Sequence, residues 1–285
     1  MEEAVSRLID AALEEDIGAG DLTSEYFVPA GRMVRGFIVA REEGCLSGVD
    51  IAREVFLRVD PEIEVQVMVA DGSRVAKGAH VLSVQGPARG VLTAERTALN
   101  FLQRLSGVAT ATQRFVSEIH DFSARILDTR KTTPGWRLLE KQAVVHGGGT
   151  NHRMGLYDRA MVKDNHLVAE HAPEELQAAI RRLKSEHPGV QVELEADRLD
   201  QVEEFLKMEG VDHILLDNMS LMDLQEAVSM RADRLTPRFE ASGGVNLDTV
   251  KGIAATGVDF ISVGAITHSA VALDLALDFV PIEDE

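Results

Sequence analysis

The hydrophobic pattern of the first 120 residues predicts a small α+β domain followed by a long helix. Residues 2–15 predict an amphipathic helix, because their apolar side chains would share one face. Short apolar or alternating runs predict a curved antiparallel sheet, and turn dipeptides such as Asp71-Gly72 separate them. The predicted strands cover 36–40, 63–69 and 81–84, with a helix at 49–59. The long helix is predicted from Thr93, as its N-cap, to about His120.

After about residue 122, short apolar strands alternate with amphipathic helices, which is the pattern of βα units. The predicted strands cover 124–127, 159–162, 190–194, 213–216, 238–241 and 260–263. The predicted helices cover 137–145, 173–185, 199–208, 221–230, 247–255 and 269–279. About six such units indicate an α/β fold with an open or incomplete βα barrel.

These patterns divide the chain into two predicted domains. The first covers residues 1–110, and the barrel domain covers 111–273. The tail at 274–285 could pack back on the first domain.

Composition and charge narrow the class of protein. The net charge is −18, from 29 basic and 47 acidic side chains, so nucleic acid and anionic membranes are unlikely partners. The longest apolar runs, such as 258–265, are too short to span a bilayer. Cys45 is the one cysteine of the chain, and acidic residues stand where a secretory signal would be basic. We therefore expect a cytoplasmic protein.

Polar or glycine residues follow every predicted barrel strand, where the active site of a βα barrel gathers. Two glycine turns, at 242–244 and 264–265, precede helices and favour phosphate, because backbone N–H groups and helix N-termini attract anions. The alternative is that both are ordinary βα turns. Glu195 and Asp217 end neighbouring strands and suit Mg²⁺ or ribose hydroxyls, although they could only balance nearby lysines.

Five basic residues are expected at the same mouth, in an otherwise acidic protein. They are Arg130, Lys131, His152, Arg153 and Lys163. Such a group favours a ligand with several negative charges, because arginine grips carboxylate or phosphate with two prongs. Solvated surface charge is the alternative. Lys163 could also be a Schiff-base lysine, as in aldolases.

Six segments of the chain resemble the quinolinate phosphoribosyltransferase family, also called nicotinate-nucleotide pyrophosphorylase. The segments are 93–100, 128–132, 147–153, 163–166, 216–218 and 242–244. Their order and spacing are similar to the family pattern over nearly the whole chain. Gln142 and His146 depart from it, since Tyr and Cys are expected there. The resemblance implies an N-terminal α/β sandwich domain and an incomplete βα barrel of about seven strands, assembled at least as a homodimer.

The resemblance also implies roles for the residues. The family's reaction moves phosphoribosyl from phosphoribosyl pyrophosphate to quinolinate with loss of carbon dioxide, giving nicotinate mononucleotide. The residues implied to hold the quinolinate carboxylates are Arg130, His152, Arg153 and Lys163, with Arg96 from the partner subunit, and Thr129 is implied to bind substrate. The implied catalytic residues are Lys131, Lys163, Glu195 and Asp217. Lys131 would lie between the two substrates, and Glu195 and Asp217 would meet the ribose and the Mg²⁺-bound donor. The implied phosphate-binding residues are Ser242, Gly243, Gly244, Val263, Gly264 and Ala265.

Three rival functions stay open from the sequence. A paralogue of the same fold could act on another ring, and an aldolase could use Lys163. A non-catalytic sensor would bind phosphoribosyl pyrophosphate without turning it over.

Overall fold

The computed structural model describes residues 2–163, 173–232 and 234–280. The chain forms two compact units. The first contains Met1–Gln113, Thr132–Gly148 and Ile266–Glu285, and the second contains Arg114–Lys131 and Gly149–Ala265. Asp164, Asn165 and His166, which contribute to the family resemblance, lie outside the described residues. None of the helices in the described ranges is long and apolar enough to cross a membrane.

The first unit contains a four-stranded antiparallel sheet. Its strands are β1 (Met33–Ala40), β3 (Glu64–Val67), β5 (His80–Pro87) and β12 (Leu275–Val280), in the order β12-β1-β5-β3. A separate antiparallel pair is formed by β2 (Gly44–Cys45) and β4 (Arg74–Val75). The helices are α1 (Glu3–Ile17), α2 (Leu22–Phe27), α3 (Val49–Val59), α4 (Ala88–Glu118) and α5 (Arg137–His146). This antiparallel α/β unit confirms the predicted N-terminal fold.

Thr93 is not the N-cap of the long helix, which begins five residues earlier at Ala88. The Thr93 hydroxyl lies 2.9 Å from the carbonyl oxygen of Arg89, one turn earlier, and also contacts Asp21. A threonine inside a helix can satisfy its hydroxyl in this way, so its presence does not require a helix start.

The predicted helix at 269–279 is wrong. The chain forms only the short helix α10 (Ala265–His268) and then strand β12. Leu275 and Leu277 are buried while their neighbours are less so, a period of two, and β12 pairs antiparallel with β1. The run of apolar residues was compatible with either period, and the hydrogen bonds of the β1 edge favour the strand.

The second unit contains a six-stranded parallel sheet in the order β6-β11-β10-β9-β8-β7. Its strands are β6 (Arg125–Leu127), β7 (Arg159–Val162), β8 (Gln191–Ala196), β9 (His213–Asp217), β10 (Arg238–Ser242) and β11 (Phe260–Ser262). The intervening helices are α6 (Pro173–Glu186), α7 (Leu199–Phe205), α8 (Leu221–Arg231) and α9 (Val250–Ala254). Thr150 adds a single parallel bridge to Leu127.

Side chains from strands that are not neighbours meet on one face of the parallel sheet. Glu193 on β8 and Glu240 on β10 are separated by β9. A carboxylate oxygen of each nevertheless lies within 4.8 Å of the other and of a ring nitrogen of His152. The six parallel strands with their intervening helices confirm the predicted βα barrel.

Candidate active site

The predicted site residues of the second unit follow strands that run in parallel, so they share one edge of the sheet. Ser242 is paired in register with Asp217, and Leu194, just before Glu195, is paired with Val162, just before Lys163. The Val263 amide donates to the carbonyl oxygen of Leu127 at 2.9 Å. This bond brings the end of β11 next to the segment that carries Thr129 and Arg130.

The positive charges of Arg130 and Arg153 repel each other. Burial lowers the pKa of Arg153, and the positive charge of Arg130 lowers it further. Arg153 is half-buried, and its guanidinium contacts the backbone oxygen of Arg159 at 3.2 Å and the sulfur of Met161 at 3.5 Å, both on β7. Like charges held together at a partly buried position favour an anionic ligand between them.

Lys163 follows β7, and its ammonium group pairs with the carboxylate of Glu195 on β8. The Lys163 side chain is 42 % exposed, whereas that of Glu195 is 12 % exposed. This ion pair at the ends of two neighbouring strands supports an electrostatic role for Lys163.

The turn after β10 has a backbone that requires glycine. Gly243 has φ +97° and Gly244 has φ +61°. A Cβ on Gly243 would lie 2.1 Å from the side-chain oxygen of Asn218, whose amide nitrogen in turn donates to the Asp217 carboxylate at 2.8 Å. The backbone of this turn can therefore approach a bound group closely, while it supports the side chain that orients Asp217.

A buried cluster of charged groups lies beneath this edge. The Nε2 atom of His152 lies 3.1 Å from a carboxylate oxygen of Glu193 and 3.2 Å from one of Glu240. Arg159 reaches the same Nε2 atom at 3.3 Å and Glu193 at 3.5 Å, and the Ser262 hydroxyl donates to Glu240. The side chains of His152, Glu193 and Glu240 are at most 5 % exposed. We call His152, Glu193 and Glu240 the interior cluster.

The electrostatics of the interior cluster are mutually dependent. Burial raises the pKa of Glu193, but the hydrogen bond to His152 and the charge of Arg159 outweigh it and lower the pKa to about 2. Burial and the charge of Glu193 raise the pKa of Glu240. Burial lowers the pKa of His152 while both glutamates raise it, and the net shift is upward. The Arg153 amide opposes that shift, because it donates to Nδ1 of His152 at 2.7 Å.

Asp128 fixes the loop that carries His152. This buried carboxylate accepts the backbone N–H of His152 at 2.8 Å and the side-chain amide of Asn151 at 2.6 Å. Both ring nitrogens of His152 also contact protein groups. The implied role of His152 as a direct ligand of a substrate carboxylate stays a prediction.

Five other predicted residues lie outside these contacts. Thr129 accepts a hydrogen bond from the backbone amide of Lys131 at 3.1 Å, and Lys131 is exposed. Gly264 follows β11, and Ala265 begins the four-residue α10. Arg96 is exposed on α4 in the first unit.

Glu193, Glu240, Asp128 and Arg159 received no role from the sequence. A signal was present, because Glu193 and Glu240 each stand between two apolar residues of a strand, where a charged residue is rarely buried without a partner. Glu193 lies two residues before Glu195, and Glu240 lies two residues before Ser242. Each glutamate therefore shares a face of its strand with a predicted site residue.

His213, also inside the barrel unit, gives a prediction about pH. It is buried, its Nδ1 atom has no hydrogen-bond partner among the described residues, and burial together with the charge of Arg159 lowers its pKa to about 4. The unfolded chain binds a proton at His213 near pH 6.5 and the folded chain does not, so this residue makes stability fall as pH drops from 6.5 to 4. Urea unfolding at pH 7 and pH 5 should show a smaller loss of stability for His213→Asn than for the wild type. An equal loss in both proteins would contradict the assignment.

Fold and site together define a βα-barrel protein with charged side chains and a glycine turn at the carboxyl ends of its parallel strands. Residues 21–106 match the family model for the N-terminal domain of quinolinate phosphoribosyl transferase, and residues 108–278 match its C-terminal domain. The chain is 43 % identical over 280 residues to a nicotinate-nucleotide pyrophosphorylase [carboxylating] of Mycobacterium leprae, with 97 % of each chain covered. It is 41 % identical to a quinolinate phosphoribosyltransferase [decarboxylating] of Nicotiana glauca, covering 95 % of this chain and 81 % of that one.

The solved structure of the nicotinate-nucleotide pyrophosphorylase of Francisella tularensis superimposes with a TM-score of 0.92 at 38 % identity, covering 98 % of this chain and 96 % of that one. The chain therefore belongs to the quinolinate phosphoribosyltransferase family. The resemblance stated from the sequence is confirmed.

Proposed function

We propose that this enzyme, a quinolinate phosphoribosyltransferase, binds the two carboxylates of quinolinate with Arg130, Arg153 and Lys163. The reaction transfers phosphoribosyl from phosphoribosyl pyrophosphate to quinolinate and releases pyrophosphate and carbon dioxide, giving nicotinate mononucleotide for NAD biosynthesis. Thr129 and His152 belong to the same binding region through the segments that carry Arg130 and Arg153.

The observation that carries the binding proposal is that Arg130 follows β6 while the Arg153 guanidinium contacts β7 of the same sheet, and the charge of Arg130 disfavours that of Arg153. An anion between them would turn this repulsion into two attractive contacts, and planar guanidinium groups suit carboxylates. Lys163 on β7 provides a third cation. Three cations match a diacid better than a ring with a single carboxylate, which favours quinolinate over nicotinate.

The phosphoribosyl donor is assigned to the other strand ends. Glu195 and Asp217 end the neighbouring strands β8 and β9, where carboxylates can accept hydrogen bonds from ribose hydroxyls. The phosphate is assigned to two segments that offer backbone N–H groups and small side chains. They are Ser242, Gly243 and Gly244 after β10, and Val263, Gly264 and Ala265 after β11. Lys131 would lie between donor and acceptor.

The carboxylates assigned to the phosphoribosyl donor, Glu195 and Asp217, also fit an Mg²⁺ ion that enters bound to the pyrophosphate group. Glu195 and Asp217 offer the carboxylate oxygens that Mg²⁺ prefers, but Glu195 is already paired with Lys163, and Asp217 with Asn218. Because both carboxylates already have protein partners, they suit an ion that is held mainly by substrate oxygens and water. When bound, Mg²⁺ would stabilise the negative charge of the departing pyrophosphate.

The mechanism follows from where the charges stand. The pyridine nitrogen of quinolinate attacks the anomeric carbon of ribose as pyrophosphate leaves. The Glu195 and Asp217 carboxylates favour the positive charge that develops on the sugar. The ring nitrogen, now quaternary, stabilises the electron pair that the breaking C–C bond leaves on the adjacent ring carbon, so that the carboxylate on that carbon departs as carbon dioxide. A proton from water then takes its place on the ring. Arg130, Arg153 and Lys163 hold the ring in place throughout.

An assay of the reaction tests the proposed function. The protein is mixed with Mg²⁺, phosphoribosyl pyrophosphate and quinolinate labelled in the departing carboxylate. We expect labelled carbon dioxide and an equal amount of nicotinate mononucleotide, and much slower turnover with nicotinate. Turnover of nicotinate at the same rate, or none with quinolinate, would contradict the substrate assignment.

We further propose that the enzyme is a homodimer or larger and that Arg96 completes the site of the partner subunit. Arg96 is exposed on α4, and Leu22, Tyr26 and Phe27 of α2 leave large apolar side chains exposed, as a subunit interface requires. The buried free thiol of Cys45 is compatible with a reducing cytoplasm, where we place the enzyme.

Mixing two inactive variants tests the shared site. Arg96→Ala and Arg130→Ala subunits would each be impaired alone, but a mixed dimer has one intact site. After subunit exchange at equal concentrations, activity should rise to about one quarter of the wild-type value. Mixing two batches of the same variant is the control. No recovery, despite mixed dimers detected by native mass spectrometry, would show that Arg96 serves its own subunit.

A further inference from the structure

The interior cluster contacts the backbone of Arg153, one of the residues proposed to bind substrate. Through Nε2, His152 contacts Glu193 and Glu240 at 3.1 and 3.2 Å. Through Nδ1, it accepts the backbone amide of Arg153 at 2.7 Å. The side chain of His152 therefore connects two buried carboxylates to the residue that carries a proposed substrate-binding guanidinium.

The charge of the cluster supports the same connection. The positive charges of Arg130 and Arg159 both disfavour the charged form of Arg153. The negative charge of Glu193 acts in the opposite direction and favours the charged form of Arg153. Arg159 contacts Glu193 at 3.5 Å, so this one carboxylate compensates several cations.

A metal ion is a poor alternative occupant of the cluster. The three potential ligand atoms lie within 4.8 Å of one another. The guanidinium of Arg159 already lies 3.3 Å from Nε2 of His152 and 3.5 Å from Glu193, so a cation placed there would be repelled. The Ser262 hydroxyl occupies one oxygen of Glu240.

We infer that Glu193 and Glu240 are positioning residues, which fix the ring of His152 and through it the backbone and guanidinium of Arg153 for the pyridine carboxylate. This inference rests on the proposed function, because it assumes that Arg153 binds quinolinate. The glutamates do not touch substrate. Their effect should therefore appear in quinolinate binding and not in donor binding.

Three variants of the cluster test the inference. Glu193→Gln keeps the shape of the side chain but removes the charge that supports Arg153, and Glu240→Leu removes the contacts to His152 and Ser262. Each should raise KM for quinolinate about tenfold or more and change KM for phosphoribosyl pyrophosphate less than about twofold. Glu240→Gln retains hydrogen-bonding atoms and should keep KM for quinolinate within about threefold of the wild type.

A matched control and a binding measurement complete the test. Leu194→Val shortens a buried side chain of the same strand, next to Glu193, and should lower stability without altering the ratio of the two KM values. Calorimetric titration with quinolinate measures binding apart from turnover, and if Glu193→Gln does not fold, the two Glu240 variants decide. The inference is overturned if Glu193→Gln and Glu240→Leu leave quinolinate binding unchanged, or if both KM values rise in parallel. Wild-type protein that binds no quinolinate would instead remove the proposed function.

Discussion

Replacing Arg130 with alanine should lower kcat/KM for quinolinate about tenfold or more, equivalent to about 1.4 kcal/mol of transition-state binding. Arg130 follows β6 and stands close enough to Arg153 for its charge to lower the pKa of that residue. Removing it takes away one of two guanidinium groups assigned to the substrate carboxylates. Arg130→Lys should recover only part of the loss, because an ammonium group cannot make the two-pronged contact.

Arg125→Ala is the matched control for this prediction. Arg125 is exposed and begins the same strand that Arg130 follows, so it lies at the opposite edge of the sheet. Its replacement should leave kcat and both KM values unchanged. Steady-state kinetics with quinolinate varied at saturating phosphoribosyl pyrophosphate makes the comparison. Kinetics of Arg130→Ala equal to the wild type would remove Arg130 from the site.

Replacing Gly243 with alanine should raise KM for phosphoribosyl pyrophosphate about tenfold or more. The residue has φ +97°, which costs a residue with a side chain about 1–3 kcal/mol, and the added Cβ would lie 2.1 Å from the Asn218 side chain. Asn218 must then move, and it supports Asp217 at 2.8 Å. The substitution should therefore disturb both the proposed phosphate turn and a carboxylate assigned to the ribose.

Gly189→Ala is the control, because an added Cβ there meets no atom of the described part of the chain within 4 Å, and the residue does not have a positive φ. It should leave the kinetics and the melting temperature close to the wild type. Donor binding unchanged in Gly243→Ala would place the phosphate elsewhere.

The barrel could be predicted from sequence because each strand is a short apolar run with polar residues at its carboxyl end. This pattern depends on local residues, and the structure has strands at all six predicted positions. The last described strand, β12, could not be predicted in this way. Its apolar residues fit a helix or a strand, and only its antiparallel pairing with the distant strand β1 decides between them.

The charged residues at the strand ends could also be predicted from the sequence, whereas the buried contacts that position them could not. Glu193 and Glu240 lie on strands that are not neighbours, and their carboxylates meet only in the folded sheet. No spacing along the chain reveals that contact. The same holds for the contact that places both ring nitrogens of His152 on protein groups.

A crystal structure of the protein with quinolinate bound would test the central claim most directly. We expect one carboxylate of the ligand at hydrogen-bonding distance, about 3 Å, from the guanidinium of Arg153, and the other carboxylate near Arg130 or Lys163. Quinolinate bound away from the ends of the parallel strands, or with its carboxylates turned away from all three cations, would contradict the account.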